Sequence, residues 1–169
     1  MNNLFIIGPF GVGKTTVGRQ LAKRAHLVFY DSDHEIEKLS GVSVTTIFEI
    51  EGEDGFRKRE EAMIDKLTQL QNIVLSSGGG AILSPENRAA FQQRGTVIYL
   101  RASLETQQNR TSQRKNTRPL LNTENPHQKI IELNEIRAPL YASIANYTYD
   151  TDLETPQAIA DQIVKHLGQ

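Results

Sequence analysis

The sequence predicts an α/β domain whose parallel sheet is covered by helices on both faces. Three observations predict it. Short apolar runs alternate with longer segments of helical periodicity along the chain. The first run opens into Gly8-Pro9-Phe10-Gly11-Val12-Gly13-Lys14-Thr15, which fits the phosphate-binding pattern G-x-x-x-x-G-K-[ST] at every fixed position. Beyond it, Val17, Leu21 and Ala25 recur at intervals of four, as on the buried face of a helix.

Strands are predicted over 4–7, 27–30, 73–76, 97–100 and 147–149. Helices are predicted over 14–25, 33–39, 45–51, 55–70, 85–93, 104–113, 126–145 and 156–167. Residues 4–7 are apolar without interruption, as in a strand buried on both faces. Pro139 lies inside the 126–145 pattern and is expected to kink or restart that helix. The chain has 169 residues, 38% hydrophobic and 23% charged, which suits one soluble domain, 1–169, with a real core. A net charge of −1 leaves no general electrostatic footprint for nucleic acid. Cysteine is absent, which excludes disulfides and thiolate metal sites and suits the cytoplasm. Neither a signal peptide nor a membrane span is expected.

In sheets of this kind, ligands sit beyond the carboxyl ends of the strands, so the polar residues just after each strand are the ones to read. After the first strand, the glycines of the phosphate pattern let successive N–H groups point at an anion, helped by the helix N-terminus. Lys14 is expected to reach the β- and γ-phosphates, and the Thr15 hydroxyl to ligate Mg²⁺. After the second strand come Asp31, Ser32 and Asp33. One carboxylate can hold Mg²⁺ and the other can accept a substrate proton, while Asp33 also suits the cap of a helix starting at His34. The Arg57, Glu60, Glu61 pattern fits an ordinary solvated helix with pairing on one face. After the third strand, Gly78, Gly79 and Gly80 leave no side chain between backbone and ligand. The stretch from Arg110 to Pro126 is basic and proline-interrupted, as in a loop that closes over polyphosphate. His26, His34, His127 and His166 make no metal-binding spacing and are expected at the surface.

Taken together, these residues resemble the shikimate kinase family over nearly the whole chain. The likeness runs through the phosphate loop, Asp31-x-Asp33, Gly52-Glu53-x-x-Phe56-Arg57-x-x-Glu60, Gly78-Gly79-Gly80, Arg118-Pro119-Leu120 and Arg137-Ala138-Pro139-Leu140-Tyr141. It implies a three-layer α/β/α fold with a central five-stranded parallel sheet, of the nucleoside monophosphate kinase type. It also implies transfer of the ATP γ-phosphate to the 3-hydroxyl of shikimate, with Mg²⁺, by a cytoplasmic monomer.

The resemblance assigns roles residue by residue. Arg57 and Arg137 are implied as the paired grip on the shikimate carboxylate, with Glu60 holding Arg57 in place. Asp33 is implied as the acid at the ring hydroxyls and the base. Gly78, Gly79 and Gly80 are implied as the pocket wall. Thr15, Asp31 and Ser76 are implied as the polar groups near magnesium. Gly11, Val12, Gly13, Lys14, Thr15, Thr16, Arg110, Arg118 and Pro156 are implied as the ATP contacts. Arg118 belongs to a mobile lid at about 111–125, and the substrate helices cover about 33–61. A kinase of the same fold acting on gluconate or a nucleoside monophosphate, and a nucleotide switch without an acceptor, are the rival readings.

Overall fold

A computed structural model describes residues 2–112 and 119–168 of the chain. The elements follow in the order β1 (Asn3–Ile7), α1 (Lys14–Ala25), β2 (Val28–Asp31), α2 (Ser32–Ser40), α3 (Val44–Thr68) and β3 (Ile73–Ser76). Then come α4 (Pro85–Arg94), β4 (Gly95–Arg101), α5 (Leu104–Ser112), α6 (Pro126–Ile144), β5 (Tyr147–Asp150) and α7 (Pro156–His166). Short 3₁₀ turns at Gly79–Leu83 and Pro119–Leu121 complete the set. The five strands form one parallel sheet in the order β2-β3-β1-β4-β5. The chain leaves β1 in one direction and later returns to its other side, so β1 stands at a topological switch point.

All five residues of β1 are buried. Their alternation divides the interior. Leu4 and Ile6 face α1 and α7, where they meet Val17, Leu21, Ile159 and Ile163. Phe5 and Ile7 face the other helices, where they meet Phe56, Ile64, Phe91 and Tyr141. A strand covered on both faces must be apolar at every position, which is why residues 4–7 read as they do. The outer strands β2 and β5 are half-exposed.

Helix starts carry their own chemistry. Ser84, Asn125 and Thr155 each accept a backbone N–H from the first turn, and Pro85, Pro126 and Pro156 occupy the adjoining first-turn positions. Helix α6 runs through Pro139 without stopping, contrary to the expected restart. Pro139 and Glu135, whose carbonyl would have paired with the missing N–H, both lie on the exposed face, so water can satisfy that carbonyl. The two helices expected at 45–51 and 55–70 form α3, broken at Gly52 alone. Gly52 has φ 74° and ψ −178°, a region open essentially only to glycine. The break turns the segment 53–68, which carries Arg57 and Glu60, away from the line of 44–51.

Among the described residues, no atom beyond the local backbone lies within 4 Å of a Cβ built on Gly52, so replacing it tests backbone strain without a clash. Gly52→Ala is expected to cost on the order of 1–3 kcal/mol. Urea unfolding would show a lower midpoint with an unchanged slope. An unchanged midpoint would mean that the two halves of α3 re-angle freely.

Candidate active site

β1 ends at Ile7, and the chain turns immediately. Gly8 has φ 150°, and a Cβ there would lie 2.2 Å from the carbonyl oxygen of Leu100. Only glycine fits. Helix α1 then begins at Lys14 with Gly13 before it, no side-chain cap among the described residues and no acidic residue in its first turn. The first-turn N–H groups of α1 therefore remain available to an anion. Lys14 Nζ donates to the Pro9 carbonyl oxygen at 2.8 Å.

Thr15 Oγ1 donates to Asp31 Oδ2 at 2.9 Å, while Asp31 Oδ1 accepts the His34 N–H at 3.1 Å. Asp31 is thus the cap of α2, and Asp33 stands inside its first turn. This corrects the expectation that Asp33 caps a helix starting at His34. Asp31 holds the extended backbone that a cap requires, with φ −116° and ψ 123°, and the helix starts at Ser32. Asp31 and Ser76 are register partners on β2 and β3, so sheet pairing alone sets them side by side.

A cleft of about 320 Å³ covers these groups. Residues 11–17, Asp31, Asp33 and 76–79 line it, together with Arg110, Thr151, Glu154 and Pro156. Arg110 donates to the Gly11 carbonyl oxygen at 2.9 Å and to the Thr151 carbonyl oxygen at 3.1 Å, which ties α5 to the phosphate loop and to the segment after β5.

A second cleft of about 130 Å³ adjoins the first and shares Asp33, Gly78 and Gly79 with it. Phe10, Val44, Phe48, Phe56, Pro119 and Leu120 make its apolar wall. Asp33, Glu37, Arg57 and Glu60 make its polar wall. Gly78 N–H donates to the buried Ser32 hydroxyl at 3.1 Å, which seats α2 against the glycine strip. A Cβ on Gly78 would lie 2.9 Å from Asp33 Oδ1 and 3.0 Å from Glu60 Oε2. A Cβ on Gly80 would lie 2.2 Å from Arg57 Nη2. Both carboxylates and one guanidinium therefore press against backbone that carries no side chain.

Arg57 Nη1 donates to Glu60 Oε1 at 2.8 Å. Glu60 is 1% exposed, and its Oε2 has no hydrogen-bond partner among the described residues. Burial raises the Glu60 carboxyl above its ordinary range, against the pull of Arg57 and Arg137. Arg137 is 2% exposed, and burial lowers its guanidinium below the ordinary arginine value, opposed by Tyr141. The helix that read as a solvated charged surface thus turns one face of its ion pair into the interior.

The structure gathers Gly11, Val12, Gly13, Lys14, Thr15, Thr16, Arg110 and Pro156 around the first cleft, with Asp31 and Ser76. It gathers Asp33, Arg57, Gly78, Gly79 and Gly80 around the second. Arg137 stands behind that wall, with Nη1 3.5 Å from where a Cβ on Gly79 would sit. Arg118 lies outside the described residues, although its neighbours Pro119 and Leu120 line the second cleft. Residues 111–112 belong to α5, within the helix expected over 104–113. The four histidines are exposed.

Sequence reasoning missed Phe10, Glu37 and Thr151. Thr151 follows directly on β5, so the rule of reading polar residues after strands applied to it as well. Glu37 lies one helical turn after Asp33, and its Oε2 accepts the Val44 N–H at 2.9 Å. Phe10 occupies a variable position of the phosphate pattern and gave no signal.

A family model described as shikimate kinase matches residues 10–168. The chain belongs to the shikimate kinase family. The shikimate kinase of Thioalkalivibrio sulfidiphilus is 51% identical to it over 98% of this chain and 86% of that protein. The shikimate kinase of Legionella pneumophila strain Corby is 50% identical over 99% of this chain and 95% of that protein. Among solved structures, shikimate kinase from Acinetobacter baumannii in complex with shikimate superposes with a TM-score of 0.96 at 46% identity, covering 99% of this chain and 93% of that one. Shikimate kinase from Aquifex aeolicus superposes at 0.82 and 30%, covering 98% and 96%.

Within this shikimate kinase fold, Glu60 gives a stability effect whose sign can be worked out. Its folded pKa is raised, so its stabilising contribution is fully present below the unfolded value of about 4.5 and is lost as pH rises through the folded value. Glu60→Gln removes that dependence. Urea unfolding at a series of pH values should therefore show the stability of the natural protein, relative to Glu60→Gln, falling as pH rises above about 4.5. A relative stability that grows with pH would mean that the attraction of Arg57 outweighs burial.

Proposed function

We propose that the chain transfers the γ-phosphoryl group of ATP to the 3-hydroxyl of shikimate, giving ADP and shikimate 3-phosphate. The observation that carries this reading is the pair of adjoining clefts. One holds the phosphate loop, the other holds a guanidinium against an apolar wall, and they share Asp33 and the backbone of Gly78 and Gly79. Family membership supports it.

The nucleotide occupies the first cleft, with its phosphates on the loop N–H groups and Lys14, and its base end between Arg110 and Pro156. The acid occupies the second. A carboxylate wants planar, bidentate donors, which Arg57 and Arg137 supply. Glu60 keeps the Arg57 fork aimed. The ring lies along Phe48 and Phe56 with its hydroxyls toward Asp33. As the hydroxyl oxygen forms its bond to the γ-phosphorus, the bond from phosphorus to the bridging oxygen breaks and ADP leaves with that electron pair. The hydroxyl proton passes to Asp33 or is positioned by it. Lys14 follows the charge that moves onto the transferring oxygens. Arg118, which lies outside the described residues, is proposed to meet the same charge.

The Thr15, Asp31 and Ser76 oxygens suit Mg²⁺, which takes oxygen ligands and keeps several waters. Among the described residues, no three carboxylate or imidazole groups converge on one point, so a single carboxylate and the phosphates would share the ion. When bound, it neutralises phosphate charge. Both clefts are built from one chain, which fits a monomer. A net charge of −1 and the lack, among the described residues, of any helix long and apolar enough to cross a membrane fit a cytoplasmic enzyme of small molecules.

Coupled ADP release from ATP and Mg²⁺, with and without shikimate, tests the reaction. Release that ignores shikimate would place the chain among nucleotide hydrolases, and release driven by gluconate or a nucleoside monophosphate would reassign the second cleft. Lys14→Ala should lower kcat and kcat/KM together by about a hundredfold or more, with the circular dichroism spectrum unchanged.

Arg57→Ala and Arg137→Ala should each weaken shikimate binding by roughly 2–5 kcal/mol, which is about thirtyfold or more, with ATP binding little changed. Calorimetric titration reads both. Equal losses for both ligands would remove the arginines from the carboxylate site.

A further inference from the structure

Phe10 belongs to the phosphate loop by sequence but not by surroundings. Residues 11–17 line the first cleft, whereas Phe10 lines the second. Its ring centroid lies 5.6 Å from Arg137 Cζ. The ring carbon Cε1 and Arg137 Nη1 each lie 3.5 Å from the point that a Cβ on Gly79 would occupy. Ring, guanidinium and glycine therefore meet at one place, and Gly79 leaves that place open. The Tyr141 hydroxyl, one turn along α6 from Arg137, donates to the Gly79 carbonyl oxygen at 2.5 Å and holds the glycine still.

Arg137 needs such a neighbour. It is 2% exposed, and its Nε has no hydrogen-bond partner among the described residues. A buried cation is costly unless other groups meet it; Tyr141, Glu53 and Glu60 attract the Arg137 guanidinium, while Arg57 repels it. An aromatic face within about 6 Å attracts a cation through its quadrupole, most strongly where water is excluded.

We propose that Phe10 is a positioning residue for the substrate carboxylate, its ring holding the Arg137 guanidinium at the wall of the second cleft. The phosphate loop thereby builds part of the acid pocket. The proposal rests on Arg137 being a carboxylate partner, and the test separates the two ideas.

The experiment is calorimetric titration of shikimate, shikimate amide and ADP against the natural protein, Phe10→Leu, Phe10→Tyr and Arg137→Ala. Leucine keeps an apolar side chain without the π face, and tyrosine keeps the face. Phe10→Leu should weaken shikimate about 2- to 30-fold while barely changing the amide or ADP, and Phe10→Tyr should stay close to the natural protein. Equal losses of acid and amide in Phe10→Leu would show that the ring acts by shape alone and would overturn the proposal. So would an unchanged shikimate affinity in Phe10→Leu, or a Phe10→Tyr as weak as Phe10→Leu. If Arg137→Ala removes the preference for acid over amide and Phe10→Leu leaves it whole, only the Phe10 inference fails. If Arg137→Ala leaves that preference whole, the carboxylate reading of Arg137 fails and takes the Phe10 inference with it.

Discussion

No side chain can stand at Gly8, and the site depends on that constraint. β1 is buried on both faces and hydrogen-bonded on both edges, so its end is held firmly. The chain must leave the sheet beside Leu100, where a Cβ would meet a carbonyl oxygen. A glycine with positive φ makes the exit, and the loop it launches reaches both clefts: residues 11–17 face one, and Phe10 faces the other. On the proposed reading, a firmly held strand end thus sets where phosphate and acid stand relative to each other, which a transfer between two bound molecules requires.

The second cleft is governed by desolvation. Glu60 and Arg137 are buried and Arg57 is half-buried, while Asp33 and Glu37 add two more carboxylates to the lining. Burial works against each buried charge, which appears as the raised Glu60 carboxyl and the lowered Arg137 guanidinium. On the proposed reading, an arriving carboxylate supplies a planar partner for the two guanidiniums. A neutral molecule of the same shape would lack that charged partner, so on this reading the pocket discriminates by charge as well as by contour.

What could be read from the sequence follows from how local each signal is. The phosphate loop is contiguous, and its geometry is encoded in eight successive residues, so it was legible with its flanking strand and helix. The break in α3 was legible because Gly52 interrupts a periodic pattern. The burial of Glu60 beside a half-buried Arg57 was not. Their spacing is the same in a solvated surface pair, and only packing against Gly78, Gly80 and the sheet separates the two cases. In the sequence Asp33 suits either chemistry or the cap of a helix at His34; the cap falls to Asp31, whose extended backbone ends a strand paired with β3. A restart at Pro139 was one outcome of the local rule, which takes no account of water reaching an exposed carbonyl. Phe10 was invisible because its partner is far along the chain, on α6.

The common wall of the two clefts has one more consequence. Gly78 and Gly79 contribute backbone and no side chain where the two spaces meet, so a single molecule can thread from one into the other. An acid joined by a short tether to a polyphosphate would, once one end docked, present the other at an effective concentration in the millimolar range. The tether would lie along glycine rather than around a side chain, so it could be short, and a short tether of matched length retains the most avidity. The same open seam that lets a phosphoryl group cross would let a linked compound bind as one unit.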